Sequence, residues 1–231
     1  MPETKNKKAA KAKAETPKAT KPKKEKVVKT EYVYALEPLP EKELKTTATF
    51  NEQPRHGWNS EPDVCEFIGA LVKMLGAKAV LEVGVFEGET AVKMIEALPN
   101  GGYYAGIDIN DHRKHELKRD GIAVDFILNE SQNALKQFPS KHFDFIFVDG
   151  DHSWENVLPE FKEIERVITD GGIIAYHDTL HIPDVKRLIE YAQHYKYNAV
   201  TLNTSEGRGL TLLQRLWHRP FAVQGAAALI L

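Results

Sequence analysis

Between residues 79 and 176 the chain alternates short apolar runs with longer segments of helical periodicity, and few folds accommodate that rhythm. The runs are 79–83, 103–109, 123–128, 143–148 and 172–176. Most lack the strict alternation of a half-solvated strand, so both faces of each must be covered. Between them, 90–98, 131–138 and 154–168 read as helices, the last with a kink or restart at Pro159. Residues 111–119 read as a charged helix or loop, and 185–195 as a further helix. A helix also precedes the first strand: Val64, Phe67, Ile68, Leu71, Val72 and Leu75 recur at helical spacing, and Gly76 can end it. Ser60 is its expected N-cap, with Asp63 three residues on as a weak capping box and Pro62 tolerated in the first turn. Strands separated by helices predict a parallel sheet between two helical layers. The last two strands, 198–202 and 210–213, are joined by a turn containing Glu206-Gly207-Arg208-Gly209, so they must be antiparallel.

The chain divides into four parts. Residues 1–30 hold eleven Lys against three Glu and almost nothing to bury, which predicts a disordered basic arm. The arm is either a polyanion contact or a solubilising tail without a dedicated partner. Residues 31–59 form a lead-in, 60–215 the folded domain and 216–231 a tail. With a whole-chain net charge of −2 and +8 in the arm, the remainder carries −10, so the body is acidic. The single cysteine, Cys65, excludes an internal disulfide and reads as core, which fits a reducing, cytoplasmic setting. No secretory signal or run of about 18 apolar residues is visible, so no membrane association is expected. Homo-oligomerisation is left open.

The first chemical signal is Leu81-Glu82-Val83-Gly84-Val85-Phe86-Glu87-Gly88-Glu89-Thr90, where a strand turns into a helix. Glycine lets backbone approach a ligand closely. A pyrophosphate-binding turn favours Gly-x-Gly-x-x-Gly and a positive environment. This turn has Gly-x-x-x-Gly with Glu82, Glu87 and Glu89, which repel phosphate and suit a cation. S-adenosylmethionine (SAM) carries a sulfonium and an ammonium and no phosphate. Asp108, 20 residues after Gly88, closes the second strand, either to accept ribose hydroxyls or to cap a helix. After the third strand, Glu130 or Ser131 can meet the adenine edge, though Ser131 is also a good N-cap. The fourth strand runs into Asp149-Gly150-Asp151-His152-Ser153-Trp154, and burying Asp149 there without a partner would be costly. The fifth ends in Tyr176-His177-Asp178-Thr179. Adjacent strands lie about 4.8 Å apart, so Asp149 and Asp178, with His177, form a candidate Mg²⁺ or Mn²⁺ site. The alternative is that these acids position substrate or cap helices.

In order and in spacing, residues 60–215 resemble class I SAM-dependent methyltransferases, in particular small-molecule O-methyltransferases with Val-Asp-Gly-Asp-His-Ser closing strand four. The resemblance implies an α/β Rossmann-like, doubly wound seven-stranded sheet, six strands parallel and one C-terminal strand antiparallel, with helices on both faces. It assigns Glu82, Gly84 and Gly88 to the methionine end of SAM, Asp108 to the ribose and Glu130 with Ser131 to the adenine; Phe86 and Asp149 are further expected cofactor-binding residues, and Asp149 is also expected to act in catalysis with His152. Asp149 and Asp178 match the strand-end acids of metal-dependent relatives, whereas His177 and Thr179 depart from the commonest neighbours. His152 takes the place of a general base three residues after Asp149. The implied reaction is methylation of a small-molecule hydroxyl. Two other classes compete: a non-catalytic SAM-binding protein acting in assembly or through the basic arm on nucleic acid, and a nicotinamide-dependent oxidoreductase, which the acidic first loop counts against. The absence of an Asn-Pro-Pro-Tyr or Asp-Pro-Pro-Tyr element argues against a DNA amino-methyltransferase. Acceptor specificity is expected in 31–58, in 181–184 and in the tail, with Trp58, Trp154 and Tyr176 as an aromatic wall or as core.

Overall fold

A computed structural model describes residues 57–215. The arm (1–30), most of the lead-in (31–59) and the tail (216–231) lie outside the described residues, as do the polyanion-contact and tail-specificity expectations attached to them.

The elements run α1 (Pro62–Leu75), β1 (Ala79–Val83), α2 (Glu89–Ala97), β2 (Tyr103–Asp108), β3 (Ala123–Leu128), α3 (Ser131–Leu135), β4 (Phe143–Val148), α4 (Trp154–Val167), β5 (Ile168–His177), α5 (Pro183–His194), β6 (Tyr197–Leu202) and β7 (Leu210–Arg215). They build one seven-stranded sheet in the order β3-β2-β1-β4-β5-β7-β6. β1 pairs in parallel with both β2 and β4, and β7 is antiparallel to both β5 and β6. Six strands therefore point one way and β7 the other, as the glycine turn predicted. The order reverses beside β1, and ligands of open α/β sheets bind outside the strand carboxyl ends at such a point.

Side-chain alternation along the strands divides the core between two layers. On one face Val80, Tyr104, Phe145, Phe147 and Ala175 pack against α1 and α2; on the other Leu81, Val83, Ile107, Ile146, Val148 and Ile174 pack against α4 and α5. Burying each large side chain contributes about 1.5–3 kcal/mol, so this double layer is what fixes the positions of the strand ends. Cys65 belongs to it: it is buried, its thiol is pushed up to about 11 by desolvation, and its Sγ sits 3.3 Å from Thr90 Oγ1.

Several local expectations change. Ser60 does not cap α1. Glu61 holds that position with no side-chain cap, and Asp63 accepts from Ser205 N and Oγ at 3.0 and 2.6 Å instead of closing a capping box. Residues 111–119 take the loop of the two readings offered for them, whereas α3 stops at Leu135 and β5 begins at Ile168, earlier than the apolar run indicated. α4 continues through Pro159. Among the described residues no helix is long and apolar enough to cross a membrane.

Candidate active site

The site lies along the carboxyl ends of β1, β2, β4 and β5. Leaving β1, Gly84 has φ 84°, and a Cβ there would lie 2.2 Å from the Asp149 carbonyl oxygen. Only glycine lets this turn pass so close to the end of β4. Gly88, at φ 89°, holds the N-cap position of α2, where the left-handed backbone again favours glycine.

Two cavities open on either side of Gly84. The larger, about 320 Å³, is lined by Asp108, Glu130, Ser131, Gln132, Asn156 and Glu160 among others. The smaller, about 20 Å³, is lined by Trp58, Asn59, Ser60, Glu82, Gly84, Phe86, Glu89, Thr90 and Asp149 among others. Of the expected SAM residues, Asp108, Glu130 and Ser131 thus share one cavity, Glu82, Phe86 and Asp149 the other, and Gly84 both. Gly88 lines neither. Among the described residues the lining holds seven carboxyl side chains (Asp108, Glu130, Asp151 and Glu160; Glu82, Glu89 and Asp149) and no Lys, Arg or His.

The acids on this side are tied down by neutral donors. Asp108 Oδ2 accepts from the backbone N–H of Val85 and Phe86 at 2.9 and 2.8 Å, and Oδ1 from Asn110 N at 3.1 Å. The residue expected to meet the ribose therefore also clamps the glycine turn, and Oδ1 is the less committed oxygen. Glu82 points to the α1/α2 face, is fully buried and accepts a hydrogen bond from Tyr104 Oη. Burial pushes Glu82 up to about 8, over the opposing effect of that bond. At the floor of the larger cavity Glu160, on α4, is 2% exposed, is pushed up by burial to about 7, and has no hydrogen-bond partner for Oε1 among the described residues. Helical spacing marked Glu160 only as a mid-helix residue.

The β4–β5 side is wired differently. Ser60 Oγ donates to Asp149 Oδ2 at 2.6 Å. His177 reaches Glu61 Oε2 through Nε2 at 2.7 Å, and its Nδ1 lies 3.0 Å from Asp149 Oδ2. Thr204 Oγ1 donates to Glu61 Oε1 at 2.6 Å. Desolvation disfavours charge on both Glu61 and His177, but their mutual contact overrides it. Glu61 falls to about 2, and His177, with Asp149 helping most, rises to about 10. Arg208 grips Asp178 with two bonds, Nε to Oδ1 at 2.6 Å and Nη2 to Oδ2 at 2.9 Å, and donates to the Asn59 carbonyl at 2.7 Å. His152 Nε2 stands 3.7 Å from both Asp149 Oδ1 and Asp178 Oδ2, too far for a direct hydrogen bond, and is buried without a partner. Burial disfavours its charged form, but Asp149 above all outweighs that and raises the His152 pKa.

The expected metal trio of Asp149, His177 and Asp178 lies close together: His177 Nδ1 stands 3.0 Å from Asp149 Oδ2 and 3.9 Å from Asp178 Oδ1, while its Nε2 is taken by Glu61. Asp149, His152 and Asp178 converge as well, with ligand atoms within 4.8 Å of one another. Both oxygens of Asp178 already hold Arg208, and Asp149 Oδ2 already holds Ser60. These residues do not fit a divalent ion without displacing a buried guanidinium.

Of the expected aromatic wall, only Trp58 is left facing a cavity. Tyr176 is buried beside Phe161, and Trp154 packs between Tyr191 and the Arg187 guanidinium. In the 181–184 segment, Asp184 accepts from Trp154 N at 3.2 Å and so helps fix the start of α4. Sequence reasoning missed Glu61, Glu160 and Arg208 and misplaced Ser60. Only Arg208 carried a local hint, as a charge between two glycines in a tight turn.

Comparison with known proteins places the chain. It is 30% identical over 194 residues to caffeoyl-CoA O-methyltransferase 1 of Eucalyptus globulus, covering 70% of this chain and 78% of that one. It is 29% identical over 169 residues to caffeoyl-CoA O-methyltransferase 1 of Zea mays, covering 64% of each chain. Two solved structures share the fold: an O-methyltransferase from Bacillus cereus in complex with SAH (TM-score 0.56, 17% identity, 68% of this chain and 82% of that one) and a methyltransferase from Geobacter sulfurreducens (TM-score 0.59, 13% identity, 71% and 83%). The O-methyltransferase family model matches residues 32–216, and the chain belongs to that family.

Proposed function

We propose that this protein transfers the methyl group of SAM to the hydroxyl oxygen of a small molecule. The observation that carries the reading is the paired cavity around Gly84, lined among the described residues by seven carboxyl side chains, of which burial pushes Glu82 toward its neutral form, and by no basic one. A phosphate-bearing cofactor would be repelled there, whereas a sulfonium and an ammonium are attracted. The larger cavity suits the nucleoside, with Asp108 Oδ1 toward the ribose and Glu130, Ser131 and the free oxygen of Glu160 around the base. The smaller suits the methionine end, against Glu82, Phe86 and Glu89.

His152 is the proposed base. It takes the acceptor's hydroxyl proton on Nε2; the oxygen attacks the methyl carbon, the carbon–sulfur bond breaks, and S-adenosylhomocysteine leaves. Asp149 and Asp178, each 3.7 Å from Nε2, stabilise the imidazolium formed in that step. Holding oxygen, carbon and sulfur in line supplies much of the rate. None of these steps needs a divalent ion. The non-catalytic alternative rests on an arm outside the described residues, whereas a buried, unpartnered imidazole nitrogen beside two carboxylates favours catalysis.

The test is His152→Ala, with caffeoyl-CoA and other phenolic hydroxyl compounds as acceptor probes. Turnover should fall by about 10²–10⁴ while calorimetric SAM affinity stays nearly constant. Equal loss of both would assign His152 to the scaffold instead.

A further inference from the structure

We propose that Arg208 occupies the cation position of this site, so that the working enzyme holds no divalent metal. The inference rests on the methyltransferase reading above and concerns the same strand ends. Arg208 is 4% exposed and uses a two-pronged grip on both oxygens of Asp178, the acid matching the strand-five ligand of metal-dependent relatives. A bidentate guanidinium–carboxylate pair is the strongest ordinary partner an acid can have.

Arg208 is also fixed in place from both sides. Its carbonyl accepts from Leu180 N and His181 N at 2.9 and 3.2 Å. Its neighbour Gly209 accepts from Thr179 N at 3.2 Å and donates to Thr204 Oγ1 at 3.1 Å. A Cβ at Gly209 would lie within 2.8 Å of Leu180 backbone nitrogen, so the tip of the β6–β7 hairpin is wedged against the end of β5. The backbone at Arg208 is therefore part of the scaffold, and its guanidinium is buried against Asp178.

Charge balance points the same way. The Arg208 guanidinium already brings a permanent positive charge to these acids, with Nε 2.6 Å from Asp178 Oδ1 and Nη1 3.7 Å from Glu61 Oε2. A divalent ion would bring two charges beside the guanidinium, a repulsion that weighs heavily where water is excluded. Arg208 acts as a positioning residue: it holds the Asp178 carboxylate facing His152.

The experiment uses the full chain purified through EDTA and saturated with S-adenosylhomocysteine, with Mn²⁺ titrated and followed by electron paramagnetic resonance. Wild type should leave the free Mn²⁺ signal unchanged. Arg208→Gln, which frees both oxygens of Asp178, should gain Mn²⁺ affinity by at least about tenfold, whereas Arg208→Lys, which keeps the charge, should not. Asp178→Asn in the Arg208→Gln background should remove the gain. Any acceptor that wild type methylates should be methylated equally fast in EDTA. Stoichiometric Mn²⁺ on wild type, lost in Asp178→Asn, would overturn the proposal, as would turnover abolished by EDTA and restored by Mg²⁺. A folded Arg208→Gln protein that takes up no Mn²⁺ would overturn it too. If Arg208→Gln fails to fold, the wild-type titration and the EDTA assay still decide. Failure of S-adenosylhomocysteine to bind would sink the methyltransferase reading and leave the Mn²⁺ result to judge Arg208 alone.

Discussion

The two halves of the carboxyl edge handle negative charge in opposite ways. On the β1–β2 half, Asp108 and Glu82 are satisfied by neutral donors, backbone N–H groups and one phenol, and no cation among the described residues lines either cavity. On the β4–β5 half two of the buried acids meet a basic side chain, His177 for Glu61 and Arg208 for Asp178. A carboxylate that meets no cation attracts a positively charged ligand more strongly than one already paired.

The difference has consequences of different size. The largest is expected from Glu61→Ala. Glu61 and His177 are both fully buried, so the substitution strands an imidazolium and the Thr204 hydroxyl. Removing one partner of a buried pair costs about 3–5 kcal/mol. Urea denaturation should show this loss near neutral pH; a change under about 1 kcal/mol would mean the pair is solvated and the contrast false.

A smaller effect, of opposite sign, is expected on the other half. Glu82 is raised from 4.5 to about 8 in the folded protein, so the fold favours its neutral form. Its contribution to stability is complete below about pH 4.5 and is lost as pH rises through about 8. Glu82→Gln keeps an acceptor for Tyr104 and cannot ionise. Its melting temperature relative to wild type should therefore climb across that window. A difference that does not vary with pH would show Glu82 to be ionised throughout.

Legibility in the sequence divides along the same line. The nucleoside half is built from short-range instructions: a glycine turn leaving one strand, an acid closing the next, a polar pair after the third. Period and spacing expose all of these, and the structure brings Glu82, Phe86, Asp108, Glu130 and Ser131 to the two cavities around Gly84. The acceptor half is built from partners distant in the chain. Ser60 meets Asp149 across 89 residues, Glu61 meets His177 across 116 and Thr204 across 143, and Arg208 meets the Asn59 carbonyl across 149. No local pattern encodes such pairings, so the partners of His177 and Asp178, Glu61 and Arg208, were out of view in the sequence. Ser60 was misread for the same reason: its position before a helix signals a cap, and its hydroxyl is claimed by a strand end that only the fold brings near.

The most direct test of the central claim is titration calorimetry of the full chain with SAM and ADP side by side. A cleft with no basic side chain among its described lining residues should bind SAM saturably and leave ADP unbound at the same concentrations. ADP binding as tight as SAM, or no heat from SAM, would contradict the account.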